Sequence, residues 1–86
     1  MISFSSSAFD QYRRWAEEDE KIFEKINTLI TEIQRNPFHG TGKPEPLKGN
    51  WRGYWSRRIT HEHRLIYKVS PDQVYIASCK FHYDEE

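Results

Sequence analysis

At 86 residues, with 36% hydrophobic and 15% aromatic content, the chain is sized for one small domain whose thin core leans on large rings. Thirteen Lys and Arg balance thirteen Asp and Glu, which excludes an indiscriminate polycation, and a single cysteine excludes an internal disulfide framework. The opening Met1-Ile2-Ser3-Phe4 carries no basic or long apolar run, so a cytoplasmic protein with neither signal peptide nor membrane span is expected.

Ile2 and Phe4 alternate with Ser3 and Ser5, which predicts a short opening strand. Ser7 with Asp10 three residues on forms a variant capping box. Phe9, Tyr12 and Ala16, with Trp15 close by, then predict a helix over residues 8–18. Asp19 is placed to cap a second helix over residues 20–35, where Ile22, Ile26, Leu29, Ile30 and Ile33 make one apolar stripe. Asn36-Pro37 ends it, because the residue before a proline disfavours helical backbone.

Residues 37–53 hold three of the four prolines and all four glycines, a loop long enough to expect a functional one. The period then changes to two. Trp55, Arg57 and Ile59 alternate with Tyr54, Ser56 and Arg58; Leu65, Tyr67 and Val69 alternate with Arg64, Ile66 and Lys68. Val74, Ile76 and Ser78 alternate with Tyr75, Ala77 and Cys79, and residues 60–63 and Ser70-Pro71-Asp72 supply the turns. The expected class is α+β in the order β-α-α-β-β-β, one domain over residues 1–86. Two antiparallel helices pack on a mainly antiparallel sheet, its last three strands a meander.

Charge is divided along the chain. Residues 1–36 carry five cationic against seven acidic side chains, and residues 37–83 carry eight against three. All four histidines lie in the basic half, and Asp84-Glu85-Glu86 follow it. Basic residues interleaved with aromatics suit a phosphate-bearing ligand; a solvated, mixed-charge sheet surface is the plain alternative.

Two arginines are the sharpest feature. One register of the hairpin joining the second and third strands sets Arg58 directly opposite Arg64, where like charges repel unless an anion sits between them. A two-residue turn would separate them, and the sequence leaves both registers open. Paired guanidiniums present forked donors to phosphate oxygens. Glu45 stands between two prolines in Lys43-Pro44-Glu45-Pro46-Leu47-Lys48, and His82 lies in Phe81-His82-Tyr83. A carboxylate and an imidazole held across a phosphate by arginines meet the needs of metal-free RNA cleavage. RNA binding would spread over Lys43, Lys48, Arg52, Arg57 and other cations. His61-x-His63 and Cys79-x-x-His82 are the rival zinc ligands, but neither pair has its partner at a common finger spacing. No metal or cofactor is therefore expected, and Cys79 reads as a small buried residue.

The runs Asn36-Pro37-Phe38, Gly42-Lys43-Pro44-Glu45-Pro46-Leu47-Lys48, Gly53-Tyr54-Trp55-Ser56-Arg57-Arg58-Ile59, His63-Arg64-Leu65-Ile66-Tyr67 and Phe81-His82-Tyr83 together resemble the YoeB (Txe/YoeB) toxins of the RelE/ParE superfamily. The resemblance covers nearly the whole chain. It implies a compact sheet packed on two helices and endoribonuclease action on mRNA in the ribosomal A site. Matched position by position, Glu45 corresponds to the general base, His82 to the general acid and Arg64 to the transition-state stabiliser. Tyr83 matches the tyrosine that shapes the site, and Lys48 and Arg58 match cations near the substrate phosphate. One departure is the tail Asp84-Glu85-Glu86, since family members often end at or near the His-Tyr pair. Three carboxylates there bear on how strong the activity is, not on its kind.

The resemblance further implies a cognate antitoxin of the YefM/Phd type that wraps the toxin, contact with operator DNA only through that antitoxin, and homodimers in some members. Two other readings use the same fold. A ParE-like toxin that poisons gyrase gives Glu45 and His82 no joint task, and a non-catalytic RNA-binding regulator needs no acid–base pair.

Overall fold

The chain begins with β1 (Ile2–Phe4), whose three residues pair in parallel with a strand more than seventy residues away. A computed structural model describes residues 1–81; His82, Tyr83 and Asp84-Glu85-Glu86, with the expectations placed on them, lie outside the described residues.

Helix α1 (Ser6–Glu18) starts two residues before the predicted first helical residue. Ser5, not Ser7, is the N-cap: its Oγ accepts the Ala8 amide at 3.0 Å and donates to the Ala77 carbonyl at 3.0 Å. The Ser5 amide also donates to Ile76 O, so the last strand chooses among adjacent serines of equal local merit. The buried face is correspondingly shifted. Ala8 and Trp15 are buried with Tyr12 partly so, while Phe9 and Ala16, expected inside, are exposed.

Asp19 separates the helices and serves both. Its amide donates to Trp15 O at the end of α1, and its carboxylate accepts from the Lys21 and Ile22 amides opening α2 (Glu20–Arg35). Losing such a cap costs about 1 kcal/mol. The predicted stripe is the buried one, with Ile26, Leu29, Ile30 and Ile33 in the core. The helices fold back on each other where Tyr12 meets Phe23 at 4.9 Å and donates to Asn27 Oδ1 at 2.6 Å.

After the loop come β2 (Glu45–Pro46), β3 (Trp55–Arg58), β4 (Arg64–Ser70) and β5 (Gln73–Ser78), giving the sheet order β1-β5-β4-β3-β2. The α+β class and the antiparallel β3–β4–β5 meander stand as expected. The two-residue β2 does not figure in the sequence reading, and it pairs Glu45 with Ser56. No helix among the described residues is long and apolar enough to cross a membrane.

The sheet has two unlike faces. One packs Leu65, Tyr67, Val74 and Ile76 against Ala8, Trp15 and the α2 stripe. Burying an aliphatic side chain of this kind contributes about 1.5–3 kcal/mol. Cys79 closes this core just beyond β5, fully buried, its amide bonded to Gln11 Oε1 and its carbonyl to Trp15 Nε1. Burial pushes the thiol pKa up to about 12. It therefore stays protonated at neutral pH and should resist alkylation in the native protein. Thiol titration checks this: no reaction when folded and one equivalent in denaturant, whereas rapid native labelling would contradict the packing.

Candidate active site on the open sheet face

Register decides which side chains meet. Opposite residues share a face, and in β3 and β4 the pairs are Ser56↔Ile66, Arg57↔Leu65 and Arg58↔Arg64. The two arginines are thus directly opposed, the first of the two registers the sequence allows. Pairing of Glu45 with Ser56 puts the carboxylate on the same face, one diagonal from Arg58. Diagonal neighbours in such a ladder are about 7–8 Å apart, within reach of long side chains. Glu45 and Arg58 are exposed and Arg64 is half-buried.

Arg64 is held ready. Its Nη1 donates to the carbonyls of Thr60, His61 and His63 at 2.9, 3.0 and 3.2 Å, so the guanidinium folds over its own turn. Among the described residues neither Arg58 nor Arg64 forms an ion pair, and the two cationic residues occupy directly opposed positions of the ladder. That arrangement favours a bound anion. Lys43 and Lys48 are exposed on either side of Glu45 in sequence, and Lys43 takes a left-handed backbone at φ 52°.

Arg57 is the exception among the expected RNA contacts. Its side chain points to the helix face and is fully buried. All five guanidinium N–H donors have acceptors. Nε donates to Tyr67 Oη at 3.2 Å, Nη1 to Glu32 Oε1 at 3.0 Å and Thr41 O at 3.3 Å. Nη2 donates to Asn36 O at 2.8 Å and His39 O at 2.7 Å. No face is left for a phosphate. The loop closes around this hub, and a Cβ at Gly40 would come within 2.8 Å of Arg57 Nη1. Gly42, at φ +85°, would bring a Cβ to 3.0 Å from Arg58 O, and its own carbonyl accepts the Arg58 amide at 2.7 Å. Arg57 thus ties the loop carrying Glu45 to the strand carrying Arg58.

Hydrogen bonds from the Thr41 amide and hydroxyl, then the Arg57 charge, hold the Glu32 carboxyl below its ordinary 4.5. A depressed carboxylate stabilises the fold above that value and loses its contribution as pH falls through the lowered one. The stability deficit of Glu32→Gln should therefore be present at neutral pH and shrink below about pH 4.5 in denaturation series. A deficit that is constant with pH would contradict it.

His63, one of the rival metal ligands, is also interior. Its ring meets Trp15 edge-to-face at 4.9 Å and Phe81 at a tilt at 5.4 Å, and its Nδ1 accepts the Phe81 amide at 2.8 Å. The Arg64 amide donates to Phe81 O at 3.1 Å, so the segment after β5 is fastened to the turn end of β4. Phe81 takes φ 63° there. No group of three potential metal ligands exists among the described residues. Sequence reasoning missed the interior roles of Arg57 and His63. The signal for Arg57 was its place in the apolar alternation with Trp55 and Ile59.

Two helices on one face of a five-stranded sheet, with a carboxylate and opposed arginines on the other, make this a RelE-like α+β protein. A family model described as a YoeB-like toxin of bacterial type II toxin-antitoxin system matches residues 4–83. Toxin YoeB of Escherichia coli (strain K12) is 54% identical over 82 residues, covering 95% of this chain and 98% of the relative. The YoeB dimer from Staphylococcus aureus is similar at 52% identity and TM-score 0.90, covering 95% of each chain. The toxin in the heterotetrameric YoeB-YefM complex from Staphylococcus aureus matches at 51% identity and TM-score 0.91, over 96% of this chain and 97% of that one. The chain belongs to the YoeB-like toxins of bacterial type II toxin-antitoxin systems.

Proposed function

We propose that residues 1–86 act as a single cytoplasmic toxin domain that cleaves mRNA in the ribosomal A site and so stops translation. The observation that carries this reading is the opposition of Arg58 and Arg64 with Glu45 one diagonal away on the same open face. A scissile phosphate between the arginines relieves their repulsion and sits within reach of the carboxylate.

Glu45 takes the proton of the ribose 2′-OH, whose oxygen attacks the adjacent phosphorus. Arg64, fixed over its turn, and Arg58 stabilise the charge that builds on the phosphorane oxygens. His82 protonates the departing 5′ oxygen and Tyr83 shapes the site around it. The products are a 2′,3′-cyclic phosphate and a 5′-hydroxyl. Lys43 and Lys48 supply binding along the RNA backbone.

A YefM/Phd-type antitoxin is the proposed partner, supported by the YoeB-YefM assembly of the Staphylococcus aureus relative. Operator DNA would be reached only through that partner. The dimer of the Staphylococcus aureus protein supports a homodimer here as well.

Base, acid and charge stabiliser all come from side chains, so cleavage should proceed at full rate with zinc chelated and magnesium kept for the ribosome. End-group analysis should find cyclic phosphate and 5′-hydroxyl termini. Zinc-dependent cleavage, or 5′-phosphate ends, would contradict the mechanism.

A further inference from the structure

On the open face the arginines are followed by the buried Ser56–Ile66 pair and then by a further, accessible row. Lys68 pairs with Tyr75 across β4 and β5, and the β3–β4 register carried one step further sets Tyr54 opposite Lys68. Tyr54, Lys68 and Tyr75 therefore cross three strands side by side. They line a groove of about 410 Å³ with Ser70 and Gln73. Both tyrosines are half-buried and Lys68 is exposed, its Nζ 5.4 Å from the centre of the Tyr54 ring.

Tyr54 is anchored before any ligand arrives. Its amide donates to Trp51 O, its carbonyl accepts from the Leu47 amide, and its ring stands edge-on to Trp51 at 5.2 Å. The backbones bearing the two tyrosines are two strand spacings apart, roughly 10 Å. The row lies four residues along β4 from Arg64, roughly 13 Å. That is a few nucleotides of single-stranded chain from the opposed arginines, on the same face.

We infer that Tyr54, Lys68 and Tyr75 form a stacking subsite for an unpaired base of the RNA substrate, with Lys68 on the neighbouring phosphate. The inference rests on the ribonuclease reading for the identity of its ligand. Rings held by backbone, separated by a cation and set on an exposed sheet face, are what single-stranded RNA uses. Lys68 brings positive charge between the rings, and the row shares its face with the opposed arginines, which favours the nucleic acid over a protein segment.

The test uses a single-stranded nonamer with 2′-O-methyl riboses, which lacks the attacking hydroxyl, carrying an abasic residue at one position at a time. Binding to the wild-type chain should weaken about tenfold at one or two adjacent positions and little elsewhere. In the Tyr54→Leu, Tyr75→Leu double variant the intact nonamer should bind about tenfold more weakly, and those positions should lose their distinction. A flat abasic profile in the wild type overturns the subsite, and this arm stands even if the double variant fails to fold. So does a double variant that loses antitoxin binding while its RNA profile is unchanged, because the row then serves a protein partner. The two readings fail separately. A chain that cleaves no mRNA yet keeps the abasic profile retains the subsite, and a chain that cleaves with a flat profile loses it.

Discussion

Replacing Arg57 by methionine is expected to cost the fold about 3 kcal/mol, the lower end of the range for removing one member of a buried charged network. The lower end applies because Glu32 keeps 32% of its side chain exposed, so water solvates the stranded carboxylate. The larger loss falls on the loop. The carbonyls of Asn36, His39 and Thr41 and the Tyr67 hydroxyl lose their donor together. Methionine keeps most of the buried stem volume, so the loss reads out hydrogen bonding more than a cavity. Arg57→Lys should recover little, because one ammonium cannot serve acceptors spread over both edges of a guanidinium. In a domain of this size the melting temperature should fall by roughly 12–24 °C. Cleavage should also fall at temperatures where the variant is still folded, since the loop bearing Glu45 is no longer tied to β3. A melting shift below about 5 °C would show the hub to be dispensable.

Single replacement of Glu45, Arg64 or His82 by alanine should slow cleavage by at least ~10²-fold, the scale of losing a positioned base, charge stabiliser or acid. Ribosome binding should change far less, because it is spread over Lys43, Lys48, Arg52 and other cations of the exposed face. Glu45→Ala is the sharpest case. It removes one negative charge from a basic surface, so RNA binding should hold or strengthen while the base is gone. Glu45 is exposed and no hydrogen bond of its side chain anchors the loop among the described residues, so stability should change little. Single-turnover rates at saturating ribosomes, paired with ribosome pelleting, separate the two effects. A Glu45→Ala protein that binds and cleaves at the parental rate would make Glu45 a loop residue and require another base.

Local signals were enough for much of this architecture and not for all of it. The α2 stripe, the Asp19 cap and the period-two strands are short-range patterns, and each appears as the sequence predicts. The start of α1 is not local: Ser5, Ser6 and Ser7 are interchangeable caps until the carbonyls of Ile76 and Ala77 select Ser5. Strand β2 is two residues long within a proline-rich loop, and only its long-range pairing with Trp55 and Ser56 makes it a strand. The arginine pair was legible as a choice between registers, and the turn after β3 settles it through the Ile59 amide bonding to His63 O. Arg57 shows the limit of reading charge as surface. Alternation placed it inward, but the acceptors that make burial possible come from α2, the loop and β4, brought together only by folding.

Mapping mRNA 5′ ends in a translating extract, with the wild-type chain and with Glu45→Ala, tests the central claim most directly. The account predicts new 5′-hydroxyl ends confined to the codon in the A site of stalled ribosomes, present with the wild type and nearly absent with the variant. Ends scattered along the message without regard to ribosome position, or an identical pattern from both proteins, would contradict it.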